Sequence, residues 1–208
     1  MSTAEKPDSD LITGRRGFFR ALRDWAVEEG RAALEPVVEE MLERMEPALI
    51  QLAGPQVIRA PGALEERAFL ETCSRCGKCI EACPEDAIVF ASESTHPDVA
   101  GSPVIIPRRR ACYECQPHHC AEACPTGALI PTSRAQMRLG TAKVIAALCF
   151  AHQGRVCDTC RAVCPHRGSA IEMRRGLPLV HESACTGCGL CEYACPAHPA
   201  AIRVLSPR

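Results

Sequence analysis

Two patterns of apolar positions divide the chain. From Leu34 onward, Val37, Val38, Met41, Leu42, Met45, Leu49 and Leu52 recur at steps of three and four, which predicts an amphipathic helix or two. Gly30 and Pro36 divide this stretch, and Pro36 suits a helix's first turn. Glu35, Glu39, Glu40, Glu43 and Glu46 occupy the opposite face. Beyond residue 55 the period changes to apolar runs of a few residues between turn-rich stretches. Runs at 87–90 and 104–106, and again at 170–173 and 177–180, predict two short antiparallel hairpins. Further apolar runs stand at 128–130 and 142–148. Pro55, Pro61 and Gly62 mark residues 55–72 as a linker. The expectation is an N-terminal helical segment over 1–54, a linker over 55–72 and an α+β domain over 73–208. No run approaches 18 apolar residues, so the sequence predicts no transmembrane helix.

Cysteine spacing changes the picture of the second region. All sixteen cysteines lie in four blocks, each ending in Cys-Pro. The first block is Cys73, Cys76, Cys79, Cys83 and the last is Cys185, Cys188, Cys191, Cys195. Both follow the C-x2-C-x2-C-x3-C-P run with which bacterial ferredoxins hold [4Fe-4S] clusters. Three thiolates spaced by two residues wrap three corners of a cube, and the fourth turns away towards a neighbouring cluster. The proline after it removes an N–H and biases the preceding cysteine to extended backbone, which favours that departure. Gly77, Gly187 and Gly189 supply backbone freedom within these loops. Block two is Cys112, Cys115, Cys120, Cys124, with two extra residues before its third cysteine. In block three, Cys149, Cys157, Cys160 and Cys164, the first cysteine stands seven residues ahead of the second. The sixteen cysteines are thus candidate iron ligands for four [4Fe-4S] clusters, in tandem ferredoxin-like modules of short hairpins and helical turns.

Other cysteine chemistries fit less well. Structural zinc uses paired C-x2-C motifs a dozen or more residues apart and leaves the third cysteine without a place. A disulfide framework suits short secreted chains. Covalent haem needs C-x-x-C-H, which is absent. His118 and His119 lie in a cysteine loop whose ligand positions are already filled. His152, His166, His181 and His198 lack spacing that suggests a site, and no catalytic constellation is present.

The overall charge of −1 hides an asymmetry. Residues 1–72 carry 9 basic and 14 acidic side chains, while 73–208 carry 15 and 11. Four clusters at about −2 each would more than reverse the net +4 of the second region. Arg108-Arg109-Arg110 reads as a solvated charge run beside a cysteine loop. The near-neutral balance gives little support to nucleic-acid binding. Gly14-Arg15-Arg16-Gly17-Phe18-Phe19-Arg20 has the form of a twin-arginine export motif. Arg20, Arg23, Asp24, Glu28 and Glu29 interrupt the apolar core such a signal needs. The expectation is therefore a degenerate, non-exporting segment and a cytoplasmic protein, with a periplasmic, membrane-associated one as the alternative.

The four blocks, Pro61-Gly62-Ala63, Phe69, His152-Gln153-Gly154 and the run Val180-His181-Glu182-Ser183-Ala184-Cys185-Thr186-Gly187-Cys188-Gly189 together resemble the NapG/MauM group of ferredoxin-type proteins. The resemblance covers about residues 56–205. It implies a polyferredoxin of periplasmic nitrate reductase or methylamine dehydrogenase systems. It also implies a membrane-bound ferredoxin-type quinol oxidase subunit and a terminal oxidoreductase as redox partners. Two chain paths fit the repeat. Blocks one and two, and three and four, could each share a pair of clusters; alternatively block one pairs with four and two with three. The spacing of block two resembles that of nested four-cluster subunits, so nesting is the expectation. The functional expectation is an electron-transfer protein, not an enzyme, that relays single electrons between a quinol-linked donor and an oxidoreductase. The alternative is an assembly or maturation factor for a partner metalloenzyme.

Overall fold

A computed structural model of the chain describes residues 57–94 and 96–206. The amphipathic helix and the twin-arginine segment expected at the N-terminus lie outside the described residues.

Helix α1 (Glu66–Thr72) runs into the first cysteine, and the Cys73 N–H closes it on the Phe69 carbonyl at 2.8 Å. Phe69 is its one buried residue. The Arg59 guanidinium lies 4.4 Å above the Phe69 ring, pairs with Glu66, and donates to the Ser102 hydroxyl and the Pro103 carbonyl. Ile58 is fully buried, and its carbonyl accepts the Ile105 N–H at 2.7 Å. Residues 57–72, read from their proline and glycine as a linker, are therefore packed into the fold. The turn residues serve a close approach. Gly62 has φ +78°, and a Cβ there would stand 1.9 Å from the Ile130 carbonyl oxygen. Leu64 donates to Ala128 and Ile130 donates to Gly62, so this stretch pairs with 128–130.

The cysteine region is built from one-turn helices and two-stranded sheets. Helices α2 (Lys78–Glu81), α3 (His119–Glu122), α4 (Thr159–Ala162) and α5 (Leu190–Tyr193) each carry the third cysteine of a block. Strands β1 (Ile88–Phe90) and β2 (Pro103–Ile105) form the first expected hairpin, with Ile88 opposite Ile105. Strands β4 (Ile171–Arg174) and β5 (Leu177–Val180) form the second, turning at Arg175 and Gly176. The remaining sheet pairs β3 (Thr141–Val144) with β6 (Ile202–Leu205), across the whole of blocks three and four. Alternation along β6 sends Ile202 and Val204 inwards.

Helix α2 packs against α3, and α4 against α5. The core is small in aromatic content. It joins Ile58, Phe69, Ile105, Met137, Ile171 and Val204 to buried cysteines of blocks one, two and four. Cys149 lies in a smaller cluster with Ala151, Ala197 and Ala201. Among the described residues, no helix is long and apolar enough to cross a membrane.

Candidate metal centres

The local backbone of each loop follows from its cysteine spacing. The residue just before the second cysteine is left-handed in three blocks: Arg75 at φ +55°, Glu114 at +52° and Gly187 at +74°. That turn brings the first two cysteines to one side. A one-turn helix then presents the third. Block three reaches the same result without this turn, because seven residues separate Cys149 from Cys157.

Four pockets result, each lined by four cysteines and otherwise almost wholly by apolar or backbone groups. Numbered by the block that gives three cysteines, pocket I holds Cys73, Cys76 and Cys79 with Cys124, in about 320 Å³. Pocket II holds Cys112, Cys115 and Cys120 with Cys83, in about 350 Å³. Pocket III holds Cys149, Cys157 and Cys160 with Cys195, in about 380 Å³. Pocket IV holds Cys185, Cys188 and Cys191 with Cys164, in about 310 Å³. Each Cys-Pro cysteine thus completes the pocket of its neighbour in sequence. The nested path expected from the spacing of block two is not the one taken, because α2 packs on α3 and α4 on α5. That packing brings blocks one and two together, and three and four.

The pockets form a row whose order differs from chain order. Burial pushes the Cys120 thiol up to about 12, and Cys79 of pocket I adds to Cys115 and Cys83 in doing so. The Cys112 thiol is also pushed up to about 12, by burial and then by Cys188 of pocket IV. The Cys112 N–H donates to the Cys188 carbonyl at 2.9 Å. Cys191 is raised well above the usual thiol range by burial, by Cys188 and Cys185, and by Cys160 of pocket III. Helix packing sets I beside II and III beside IV, and the Cys112–Cys188 bond sets II beside IV, so the row is I, II, IV, III.

Several groups aim at the sulfurs. The N–H of Ala87 approaches Cys83 Sγ at 3.4 Å, that of Leu129 approaches Cys124 Sγ at 3.4 Å, and that of Ala201 approaches Cys195 Sγ at 3.3 Å. Ala142 donates to Cys185 Sγ at 3.5 Å. Burial disfavours the Cys124 thiolate, but N–H groups of Leu129, Thr126 and Gly127 and the Thr126 hydroxyl outweigh it and hold the thiol below its usual range. At the exposed Cys76, the Lys78 N–H and the Ser74 hydroxyl lower the thiol. Buried thiols raised to 11–12 bind metal only by losing protons, which a cluster of cations compels. Among the described residues, no three His, Cys, Asp or Glu side chains converge on space for a single ion. The four sulfurs of each pocket surround a volume instead, as the four iron corners of a cubane require.

The front half, residues 57–138, and the back half, residues 139–206, are joined by residues that carry no motif. Arg108, expected to be solvated, donates from Nη1 to the carbonyls of Glu192 and Cys195, each at 2.9 Å, and from Nη2 to Ala197 at 3.3 Å. It thereby caps α5 and the last Cys-Pro corner. Buried Glu192 accepts the Val204 N–H at 2.7 Å and ties α5 to β6, while its burial raises its carboxyl above the usual range. Glu114, with no exposed surface, reaches from the block-two loop to His166 Nε2 at 2.8 Å and the Thr186 hydroxyl at 2.5 Å. Cys188 is pushed up to about 12, first by burial and in part by this carboxylate. His118 is buried on the Thr132 carbonyl, 2.9 Å from Nδ1, while His119 remains partly exposed beside Glu122.

Residues 72–128 match the family described as 4Fe-4S dicluster domain, which spans blocks one and two together. Residues 176–197 match the family described as 4Fe-4S binding domain. The methylamine utilization ferredoxin-type protein MauM of Paracoccus denitrificans is 42% identical over 173 residues, 76% of each chain. MauM of Methylobacillus flagellatus is 39% identical over 98% of this chain and 86% of its own. The ferredoxin-type protein NapG of Escherichia coli is 35% identical over 99% of this chain and 89% of its own. Family matches and cysteine-lined pockets agree on an electron carrier holding [4Fe-4S] clusters. The chain belongs to the MauM/NapG family of ferredoxin-type iron-sulfur proteins.

Proposed function

We propose that the chain holds four [4Fe-4S] clusters, one in each pocket, and relays single electrons along the row I, II, IV, III. The observation that carries this reading is the sorting of all sixteen cysteines into four neighbouring sets of four. The ligands are then Cys73, Cys76, Cys79 and Cys124; Cys83, Cys112, Cys115 and Cys120; Cys164, Cys185, Cys188 and Cys191; and Cys149, Cys157, Cys160 and Cys195. A bound cubane supplies reversible one-electron chemistry. The chain's own residues fix spacing, exclude water and aim N–H groups at sulfur, which stabilises the more negative, reduced state. Electrostatic coupling of Cys79 to Cys120, of Cys188 to Cys112 and of Cys160 to Cys191 fits neighbouring centres held close together.

The donor in this reading is a membrane-bound ferredoxin-type subunit that oxidises quinol, and the acceptor is a terminal oxidoreductase. The sequence pattern of residues 1–54 reads as a twin-arginine-like and amphipathic segment ahead of the cluster domain. The charged residues after Arg15-Arg16 favour a cytoplasmic location, which fractionation of cells making the full chain tests directly.

Iron and acid-labile sulfide on anaerobically purified protein test the cluster count. About sixteen of each per chain, with spin-coupled EPR signals on reduction, are expected. Far less iron, or no reducible signal, overturns the relay. Cys124→Ser tests the crossing. It should disturb the cluster of Cys73, Cys76 and Cys79 and leave that of Cys112, Cys115 and Cys120 spectroscopically unchanged.

A further inference from the structure

Glu114 serves none of the pockets as a ligand, yet it is placed where the two halves meet. Its backbone lies in the block-two loop between Cys112 and Cys115. Its side chain does not line pocket II and extends instead into the back half. There it contacts Thr186, next to Cys185, and His166, two residues after Cys164; both of these line pocket IV. A carboxylate is thus held one hydrogen bond behind the wall of pocket IV by a loop that belongs to pocket II.

The loop itself does not ask for glutamate. The equivalent left-handed position is Arg75 in block one and Gly187 in block four. A non-glycine residue there costs about 1–2 kcal/mol, and burying a carboxylate costs several kcal/mol more unless it is well partnered. The partners present are directional: the Thr186 hydroxyl on Oε1, His166 Nε2 on Oε2, and Arg134. Arg134 donates to the Glu114 carbonyl at 2.6 Å and places Nε 3.6 Å from Oε2. Arg134 is 49% exposed, so water screens its charge more than that of the enclosed carboxylate.

We propose that the Glu114 carboxylate sets the reduction potential of the centre in pocket IV, so that a fixed charge carried by the front half tunes the electron step into the back half. The inference rests on the relay reading above. Reduction adds a negative charge to a centre, and a fixed negative charge nearby in a low-dielectric interior opposes it and lowers the potential. Neither Glu114 nor any of its partners lines pockets I and III, at the ends of the row, so the effect there is smaller.

Glu114→Gln keeps the shape and an oxygen to accept from Thr186 but removes the charge. Potentiometric reduction of the full, cluster-loaded chain, followed by EPR and visible absorbance, is the measurement. The reduction equilibrium of one centre should shift by about threefold or more towards the reduced form, roughly 28 mV at 59 mV per tenfold for one electron. Two centres should shift less. Arg134→Gln, on the surface and outside the pockets, should move the same centre in the opposite direction by a smaller amount. It decides the question alone if Glu114→Gln does not retain iron. Iron content and a reducible wild-type spectrum check the relay separately. If the wild type shows four reducible centres and neither variant moves any potential, Glu114 is a clamp between halves and the inference is overturned.

Discussion

The front half, residues 57–138, and the back half, residues 139–206, reach the same pair of pockets by different routes. In the front half the two cysteine blocks are bridged by one hairpin, and residues 58–64 run from the hairpin at Ile105 to residues 128–130. The back half has its hairpin too, but its closing sheet joins β3 to the last strand, β6. Their first loops differ most. Two residues separate Cys73 from Cys76, whereas seven separate Cys149 from Cys157. The longer loop is ordered by its own contacts: Gln153 donates from its backbone to Cys149 and from its side chain to Ala147, and Arg155 stacks 4.0 Å over Phe150. Phe150 and Thr159 then help line pocket III. What both halves keep is the one-turn helix under the third cysteine, the Cys-Pro corner crossing to the neighbour, and an N–H on a corner sulfur. Those fix the sulfurs; the first loop is free to change length.

Stripping iron with a chelator under anaerobic conditions should have the largest effect on this comparison. Both halves bury their cysteines in the core, so far-UV circular dichroism should collapse for both as iron leaves. A half that stayed folded would show that its packing does not depend on its centres. Gly187→Ala should come next, at about 3 kcal/mol in anaerobic urea unfolding from strain and overpacking together. A Cβ there would meet the Gly140 backbone nitrogen at 2.2 Å on a residue at φ +74°. Arg108→Ala should cost about 2 kcal/mol, because three carbonyls at the seam lose a charged donor. The smallest effect belongs to Gly154→Ala in the long loop, where nothing lies within 4 Å. Only its left-handed backbone should register there, at about 1 kcal/mol. A larger loss would mean that the long loop is as constrained as the short ones.

The parts legible in the sequence are those with a local signature. Ligand spacing revealed the cysteine blocks, and alternating apolar runs around turn residues revealed both hairpins. The pairing of 62–64 with 128–130 and of β3 with β6 joins segments about 60 residues apart, and neither partner carries a mark of the other. Pro61 and Gly62 looked like a linker because a tight approach and a flexible spacer use the same residues. The nested path failed for a similar reason: the extra residues of block two alter a loop, while helix packing decides which corner meets which pocket. Glu114, Arg108 and Glu192 are ordinary charged residues in sequence; burial distinguishes the two glutamates, and bonds to distant carbonyls distinguish the arginine.

The crossing of the Cys-Pro corners also limits how such a molecule can grow. No single block owns a whole pocket, since each supplies three sulfurs to one and the last to another. A lone extra copy would arrive with one vacancy to fill and one sulfur to place. The segment that can be duplicated, lost or grafted intact is the pair, so a molecule of this design lengthens by two pockets at a time.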